Sequence, residues 1–98
     1  MKYKSTLKEI SENYKTVEAL QFKGTPESAL EIFEVFPIEG GKFLPNFSDL
    51  NKGELLIPTN SGDEIVLKGD YVLKLKDGTY ETNYGKTFES VWEKLENV

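Results

Sequence analysis

The fold is decided by residues 54–83, which read ELLIPTNSGDEIVLKGDYVLKLKDGTYETN. Short apolar runs, several of them alternating with polar residues, are separated here by clusters that contain Gly, Asn, Asp or Ser. This pattern is typical of consecutive antiparallel strands joined by tight turns. It predicts strands at about 54–57, 63–67, 71–76 and 79–83.

Asp77-Gly78 lies between the last two of these segments and predicts a hairpin. The Asp-Gly pair favours a two-residue type I′ turn, because both central residues of that turn need positive φ. The turn would fix the register, pairing Leu75 with Tyr80, Lys74 with Glu81 and Leu73 with Thr82. In that register Tyr71, Leu73 and Leu75 face the core, since alternate residues of a strand share one face.

The N-terminal part predicts two helices and a strand. A capping-box pattern and helical spacing of apolar residues predict a short helix over 6–14, which is peripheral, and alternation predicts a strand over 15–23. Thr25 followed by Pro26 is a helix start, and Pro37 is a helix stop. Residues 26–36 are therefore predicted as a helix whose apolar face covers a sheet.

The remaining segments complete an α+β fold in a single domain over 1–98. The segment between the second helix and the first of the late strands is predicted as loop, with one brief strand at 42–44. Apolar residues spaced at three and four predict an amphipathic helix over 87–96. We expect a small twisted antiparallel sheet, a β-meander in its C-terminal half, covered by two or three short helices.

Composition narrows the possible functions. The 98 residues include no Cys and no His, and all twelve basic residues are Lys. Without Cys there is neither a disulfide framework nor a thiolate metal site, and no apolar run approaches the roughly 20 residues of a membrane span. A net charge of -5 argues against general nucleic-acid binding, which depends on cationic side chains. We expect a cytoplasmic protein that binds neither membranes nor nucleic acid.

Catalysis and metal binding find little support in the sequence. Glu27, Glu31 and Glu34 fall on one face of the predicted helix, and an exposed acidic stripe of this kind indicates a solvated surface and not a general acid and base. Residues 49–53 have some features of a calcium loop and lack its third ligand and its closing Glu. We therefore predict a protein that is not an enzyme and that has no cofactor and no metal.

Two short motifs carry a resemblance to a known group of proteins. The run Val17-Glu18-Ala19-Leu20-Gln21-Phe22 and the later Gly69-Asp70-Tyr71-Val72 resemble a family of short phage-encoded proteins with a Val-Glu-Ala-x-Gln-aromatic start and a Gly-Asp-Tyr-Ile/Val motif. Lys68 stands where that family usually has Pro. The resemblance implies an intracellular accessory protein made in an infected bacterium, and it implies no catalytic residues.

Charge and resemblance together suggest a function in binding. We expect inhibition of a host or antiviral-defence protein with a basic surface, steered by Glu27, Glu31 and Glu34 and anchored by Phe43 and Phe47. An equally open interpretation is that Phe43 and Phe47 close the core beneath a long loop.

The sequence is also compatible with two alternative functions. One is sequestration of a nucleotide signal by a second set of residues: Lys74, Lys76, Tyr80, Tyr84 and Lys86. The other is a minor virion or assembly component, in which exposed strand edges extend the sheet into a homo-oligomer.

Overall fold

A computed structural model describes residues 1–6 and 12–94 of the chain. The elements, in chain order, are β1 (Lys2–Ser5), β2 (Thr16–Gln21), α1 (Pro26–Val35), β3 (Lys42–Leu44), β4 (Glu54–Thr59), β5 (Gly62–Val66), β6 (Tyr71–Lys74), β7 (Tyr80–Asn83), α2 (Gly85–Val91) and β8 (Trp92–Lys94). A short 3-10 turn at Glu12–Tyr14 precedes β2. The predicted α+β class, with antiparallel sheet and short helices, is confirmed.

The strands form two antiparallel sheets instead of one. The larger has the order β7-β6-β2-β1-β8, and the smaller has the order β3-β4-β5. The four late strands of the sequence are all present, but they divide between the sheets, since β4 and β5 pair with β3 while β6 pairs with β2. The brief strand at 42–44 is therefore one of the two outer strands of the smaller sheet.

The larger sheet is covered on both faces at its strand β6. On one face Ala19, Leu73 and Leu75 pack with Phe88 of α2 and with Trp92. The other face belongs to a second cluster, in which Val72 packs with side chains of α1, β4 and β5. Because neighbouring residues of a strand point to opposite faces, β6 with its buried Tyr71, Val72 and Leu73 contributes to both clusters.

Helix α1 forms where its local signals place it. The Thr25 side chain accepts a hydrogen bond from the Ser28 amide at 3.1 Å, and Pro26 occupies the first turn. Its buried Ala29 and Ile32 face the second cluster, and the helix ends before Pro37. The predicted helix over 26–36 is confirmed, and so is the preceding strand, which occupies Thr16–Gln21.

The two terminal helices differ from their predictions. Of the helix predicted over 6–14, residues 7–11 lie outside the described part, and the described flanks are β1 and the 3-10 turn. The helix predicted over 87–96 starts earlier and ends at Val91, and the chain continues as β8, whose last described residue is Lys94. Pairing of β8 with β1 explains the change, because it satisfies the backbone of Trp92–Lys94 in a sheet that joins the two ends of the chain.

The predicted hairpin register is wrong by one residue. Lys74 pairs with Tyr80 and Leu73 pairs with Glu81, so the turn contains an additional residue. Positive φ is found at Gly78 and not at Asp77, as in a three-residue loop built on a type I turn. Tyr71, Leu73 and Leu75 are nevertheless buried as expected.

Contacts distant in sequence select the longer turn. The Asp77 amide donates to Asn13 Oδ1 at 2.9 Å, and Asn13 Nδ2 donates to Asp77 Oδ2 at 3.1 Å. The second Asp77 oxygen accepts from both the hydroxyl and the amide of Thr79, and these bonds lower the pKa of Asp77. The type I′ preference of Asp-Gly is a local one, and this network outweighs it.

Two phenylalanines test where the stability of the fold lies. Phe22 has no exposed surface, whereas Phe47 is 88% exposed. Phe22→Ala is expected to lower the free energy of unfolding by about 3 to 5 kcal/mol, because it removes a ring and leaves a cavity in the core. Phe47→Ala is expected to change it by less than about 0.5 kcal/mol. Urea denaturation followed by circular dichroism measures both, and similar losses for the two variants would contradict this division.

Candidate functional site

The connection between β3 and β4, residues 45–53, is fixed by side-chain caps and is called the display loop below. Asn46 Oδ1 accepts hydrogen bonds from the amides of Ser48 and Asp49 at 3.0 and 3.2 Å. The Asp49 amide also donates to the Asn46 carbonyl at 3.2 Å, which closes a turn over Asn46–Asp49. Asn side chains that bond the backbone two residues ahead stabilise such turns, so Phe47 occupies a defined corner.

A second turn follows directly and repeats this arrangement. Asp49 Oδ1 accepts from the Asn51 amide at 3.0 Å, and the Lys52 amide donates to the Asp49 carbonyl at 3.0 Å. Leu50 has the same position in this second turn as Phe47 has in the first, directly after the residue whose side chain caps the turn. The display loop thus presents one apolar side chain from each of two consecutive capped turns.

Close backbone approach holds the base of the display loop. The Gly53 amide donates to the Gly24 carbonyl at 2.9 Å, immediately before the Thr25 cap of α1. Gly24 has a φ of 83°, and a Cβ at this position would lie 2.2 Å from the Asn51 carbonyl oxygen. A Cβ at Gly53 would lie 2.6 Å from the Phe43 ring. Both contacts require glycine, so the loop is seated against the start of α1.

The two loop phenylalanines of the sequence prediction have different environments. Phe43 is half-buried, packs against the second cluster and lies 6.5 Å from the Phe22 ring in an edge-to-face arrangement. Phe47 points into solvent, and Leu50 is 60% exposed. The aromatic surface therefore consists of Phe47, while Phe43 supports the loop from the core.

The acidic face of α1 is also exposed, and it contains an apolar residue. Glu27, Glu31 and Glu34 are all exposed, and among the described residues none of them forms an ion pair. Leu30, which is 61% exposed, lies on the same face because helical neighbours are three and four residues apart. Glu27 and Glu34 therefore flank an uncovered leucine on the helix surface.

Leu30 and Leu50 were not identified from the sequence. Leu30 lies off the apolar face that the helical period predicts for residues 26–36, and it is one turn away from Glu27 and from Glu34. The signal for Leu50 is the repetition of Asx-apolar-polar in Asn46-Phe47-Ser48 and Asp49-Leu50-Asn51. That repetition predicts two consecutive Asx turns, each with an apolar residue at its corner.

The structure does not bring the alternative ligand-binding residues together. Lys74 and Lys76 line a cavity of about 300 Å³ with Lys2 and Glu18. Tyr84 and Lys86 line a different cavity. The remaining member, Tyr80, packs against the second cluster with its ring 5.6 Å from that of Phe36. Of the five residues, Tyr84 and Lys86 therefore share a cavity, whereas Lys74 and Lys76 line another whose described lining residues include no tyrosine.

The positive charges at the cavity lined by Lys74 and Lys76 are partly compensated by carboxylates. Lys76 Nζ lies 2.9 Å from Glu12 Oε1, and Lys15 Nζ lies 3.1 Å from Glu12 Oε2. Hydrogen bonds from Lys76 and Lys15 lower the pKa of Glu12. In the larger sheet Glu18 pairs with Lys2 on one side and with Lys74 on the other. A carboxylate therefore lies between the cations that would have to hold a phosphate.

Other shifted pKa values have structural causes. The Tyr14 hydroxyl donates to Glu81 Oε1 at 2.6 Å, and this bond raises the pKa of Tyr14. Burial raises the pKa of Tyr71, whose ring stacks on Phe88 with a centroid distance of 3.9 Å. Over residues 1–6 and 12–94, no group of three or more acidic side chains is arranged to hold a metal ion.

Comparisons with known proteins do not assign the chain to a family. Neither a protein-family model, nor a curated protein, nor a solved structure matches it. In the described part of the chain, neither helix has the length and apolar character needed to cross a membrane.

A pair of glycines tests how the display loop is held. Gly24 and Gly62 both have positive φ, but a Cβ on Gly62 would meet no atom within 4 Å. Gly62→Ala is expected to cost about 1 to 2 kcal/mol of unfolding free energy from backbone strain alone. Gly24→Ala is expected to cost about 3 kcal/mol or more, because the Asn51 carbonyl must also move. Urea denaturation compares the two, and equal costs would show that the loop is not seated against Gly24.

Proposed function

We propose that this chain is a non-catalytic phage accessory protein that binds and inhibits a host or antiviral-defence protein. The observation that carries the proposal is the exposure of Phe47 at the corner of a capped turn. A large apolar side chain held in solvent contributes nothing to the core of its own protein. The phage setting is supported by the resemblance of the two sequence motifs.

Phe47 has the properties of an interface anchor. Burial of a Phe side chain by a partner contributes about 1.5 to 3 kcal/mol to binding. Binding normally also costs free energy for ordering loops and side chains at the interface. The caps of Asn46 and Asp49 reduce that cost, since the display loop already holds a defined conformation. Leu50 and the partly exposed Leu44 extend the apolar contact on either side.

The acidic face of α1 supplies a complementary contribution. The chain has a net charge of -5, and Glu27, Glu31 and Glu34 lie on one face of a helix whose N-terminal cap adjoins the base of the display loop. Leu30 lies beside Glu27 and Glu34 on that helix. Exposed charges of one sign accelerate association with a surface of opposite sign. The preferred partner therefore has a basic surface beside an apolar pocket, and its binding weakens as salt screens the charges.

A capture experiment with matched variants tests the proposal. The tagged protein, Phe47→Ala and the triple variant Glu27→Lys, Glu31→Lys, Glu34→Lys are incubated with bacterial lysate at low and high salt, and retained proteins are quantified by mass spectrometry. We expect one host or defence protein to be retained at low salt and reduced at least about tenfold by either change.

The control for the triple variant has the same net charge at other exposed positions: Glu39→Lys, Asp63→Lys, Glu89→Lys. It is expected to retain the partner as the unmodified protein does. Retention of the same proteins by Phe47→Ala and by both triple variants would contradict the proposed surface. An inhibition assay on the captured protein then separates inhibition from binding alone.

A further inference from the structure

A groove runs between the two sheets, along strands β5 and β7, and is called the edge groove below. It consists of two adjoining cavities of about 380 and 140 Å³, which share Glu64 of β5 and Thr82 of β7. In the strand order, β5 is the last strand of the smaller sheet and β7 is the last strand of the larger one. Within the described residues, no strand pairs with the outer edge of either.

The lining shows that the groove follows a strand edge and not a sheet face. Consecutive residues from Glu81 to Tyr84 line the two cavities on one side. Side chains of consecutive strand residues point to opposite faces, so only a space along the edge meets them all. On the other side Glu64 and Ile65 are also consecutive. The edge groove therefore lies where another strand would lie beside β7.

A backbone amide of β7 points into this space, whereas the Thr82 carbonyl already accepts a hydrogen bond from Asn83 Nδ2 at 2.7 Å. The Leu75 amide donates to the Thr79 carbonyl at 2.8 Å, which makes these two residues a hydrogen-bonded pair at the turn. Such pairs alternate along an antiparallel ladder. In the observed register Val72 and Thr82 are then a non-hydrogen-bonded pair. The Thr82 amide consequently points away from β6, toward the edge groove.

The charge of the edge groove is one-sided. Glu64, Glu81 and Asp70 line it, and among the described residues that line it there is no lysine. Asp70 accepts hydrogen bonds from the Leu67 and Gly85 amides, and Glu81 accepts one from the Tyr14 hydroxyl, so Glu64 is the most exposed of the three carboxylates. Ile65 and Tyr84 provide exposed apolar surface at its mouth. We infer that the edge groove binds an extended, basic segment of a partner protein, which pairs its backbone with β7 and places cationic side chains beside Glu64 and Glu81.

This binding mode has a clear physical basis. Strand addition gains affinity from main-chain hydrogen bonds, while alternate side chains of the added segment provide specificity. A segment of four residues covers about 13 Å, which matches the length of β7. The inference does not depend on Phe47, because the edge groove and the display loop have no lining residue in common.

The test uses a defined probe. An acetylated and amidated hexapeptide of alternating Lys and Val is titrated into the protein at low salt, and binding is measured by calorimetry. Two further peptides have the same charge but are N-methylated at all Val residues or at all Lys residues, which removes the donors of one strand edge in each. At least one of them is expected to bind about tenfold more weakly, because it loses main-chain hydrogen bonds.

Protein variants locate the site. Glu64→Lys is expected to weaken peptide binding about fivefold, and Glu39→Lys, an exposed position outside the edge groove and outside the acidic face of α1, is expected to leave it unchanged although its charge change is the same. Thr82→Pro removes the amide donor of the groove, and proline is tolerated on edge strands. It is expected to reduce binding about tenfold, and thermal melting checks that it folds.

Three results would overturn the inference. They are absence of binding at peptide concentrations on the order of 1 mM, equal affinity for both N-methylated peptides and the parent peptide, and equal weakening by Glu39→Lys and Glu64→Lys. The last two would indicate attraction by charge alone. Since Phe47→Ala is expected to bind the peptide normally, failure here and failure of the proposed Phe47 surface are distinguishable.

Discussion

Strand β6 buries three consecutive side chains, those of Tyr71, Val72 and Leu73. The layered structure follows from the need to cover both faces of this strand. A strand whose consecutive side chains are all apolar needs cover on both faces of its sheet. Helix α2 with Phe88 covers one face, and α1 with the smaller sheet covers the other. The division of the late strands into two sheets follows, because β4 and β5 serve as cover for β6 and not as its neighbours.

The apolar residues that remain outside the two clusters define the proposed interaction surfaces. Phe47, Leu50 and Leu30 contribute little to folding, since they are mostly exposed. The backbone that carries them is nevertheless fixed, by the contact of Gly53 with Gly24 and by the capped start of α1. A rigid support with an uncovered apolar side chain reduces the entropy cost of association. The surfaces are thus presented by the same contacts that stabilise the fold.

Local signals in the sequence predicted the elements that depend on local interactions. The sequence predicts helix α1 because its signals are local: Thr25 caps the helix, Pro26 occupies its first turn and Pro37 ends it. The hairpin register was wrong because it depends on Asn13, which is distant from Asp77 in sequence and bonds its amide. Likewise, pairing of β1 with β8 shortens the C-terminal helix. Of the candidate site, exposure of Glu27 followed from helical periodicity, whereas the separation of Phe43 from Phe47 depends on tertiary packing.

The proposed function requires the display loop to hold Phe47 rigidly in solvent. The most direct measurement is the backbone ¹⁵N order parameter of Phe47 and Leu50, compared with that of Val72 in β6. Capped turns seated against Gly24 predict values near those of rigid backbone, about 0.85. Values below about 0.6 at Phe47 and Leu50, with Val72 rigid, would contradict this rigidity and remove the pre-organised anchor on which the proposed function depends.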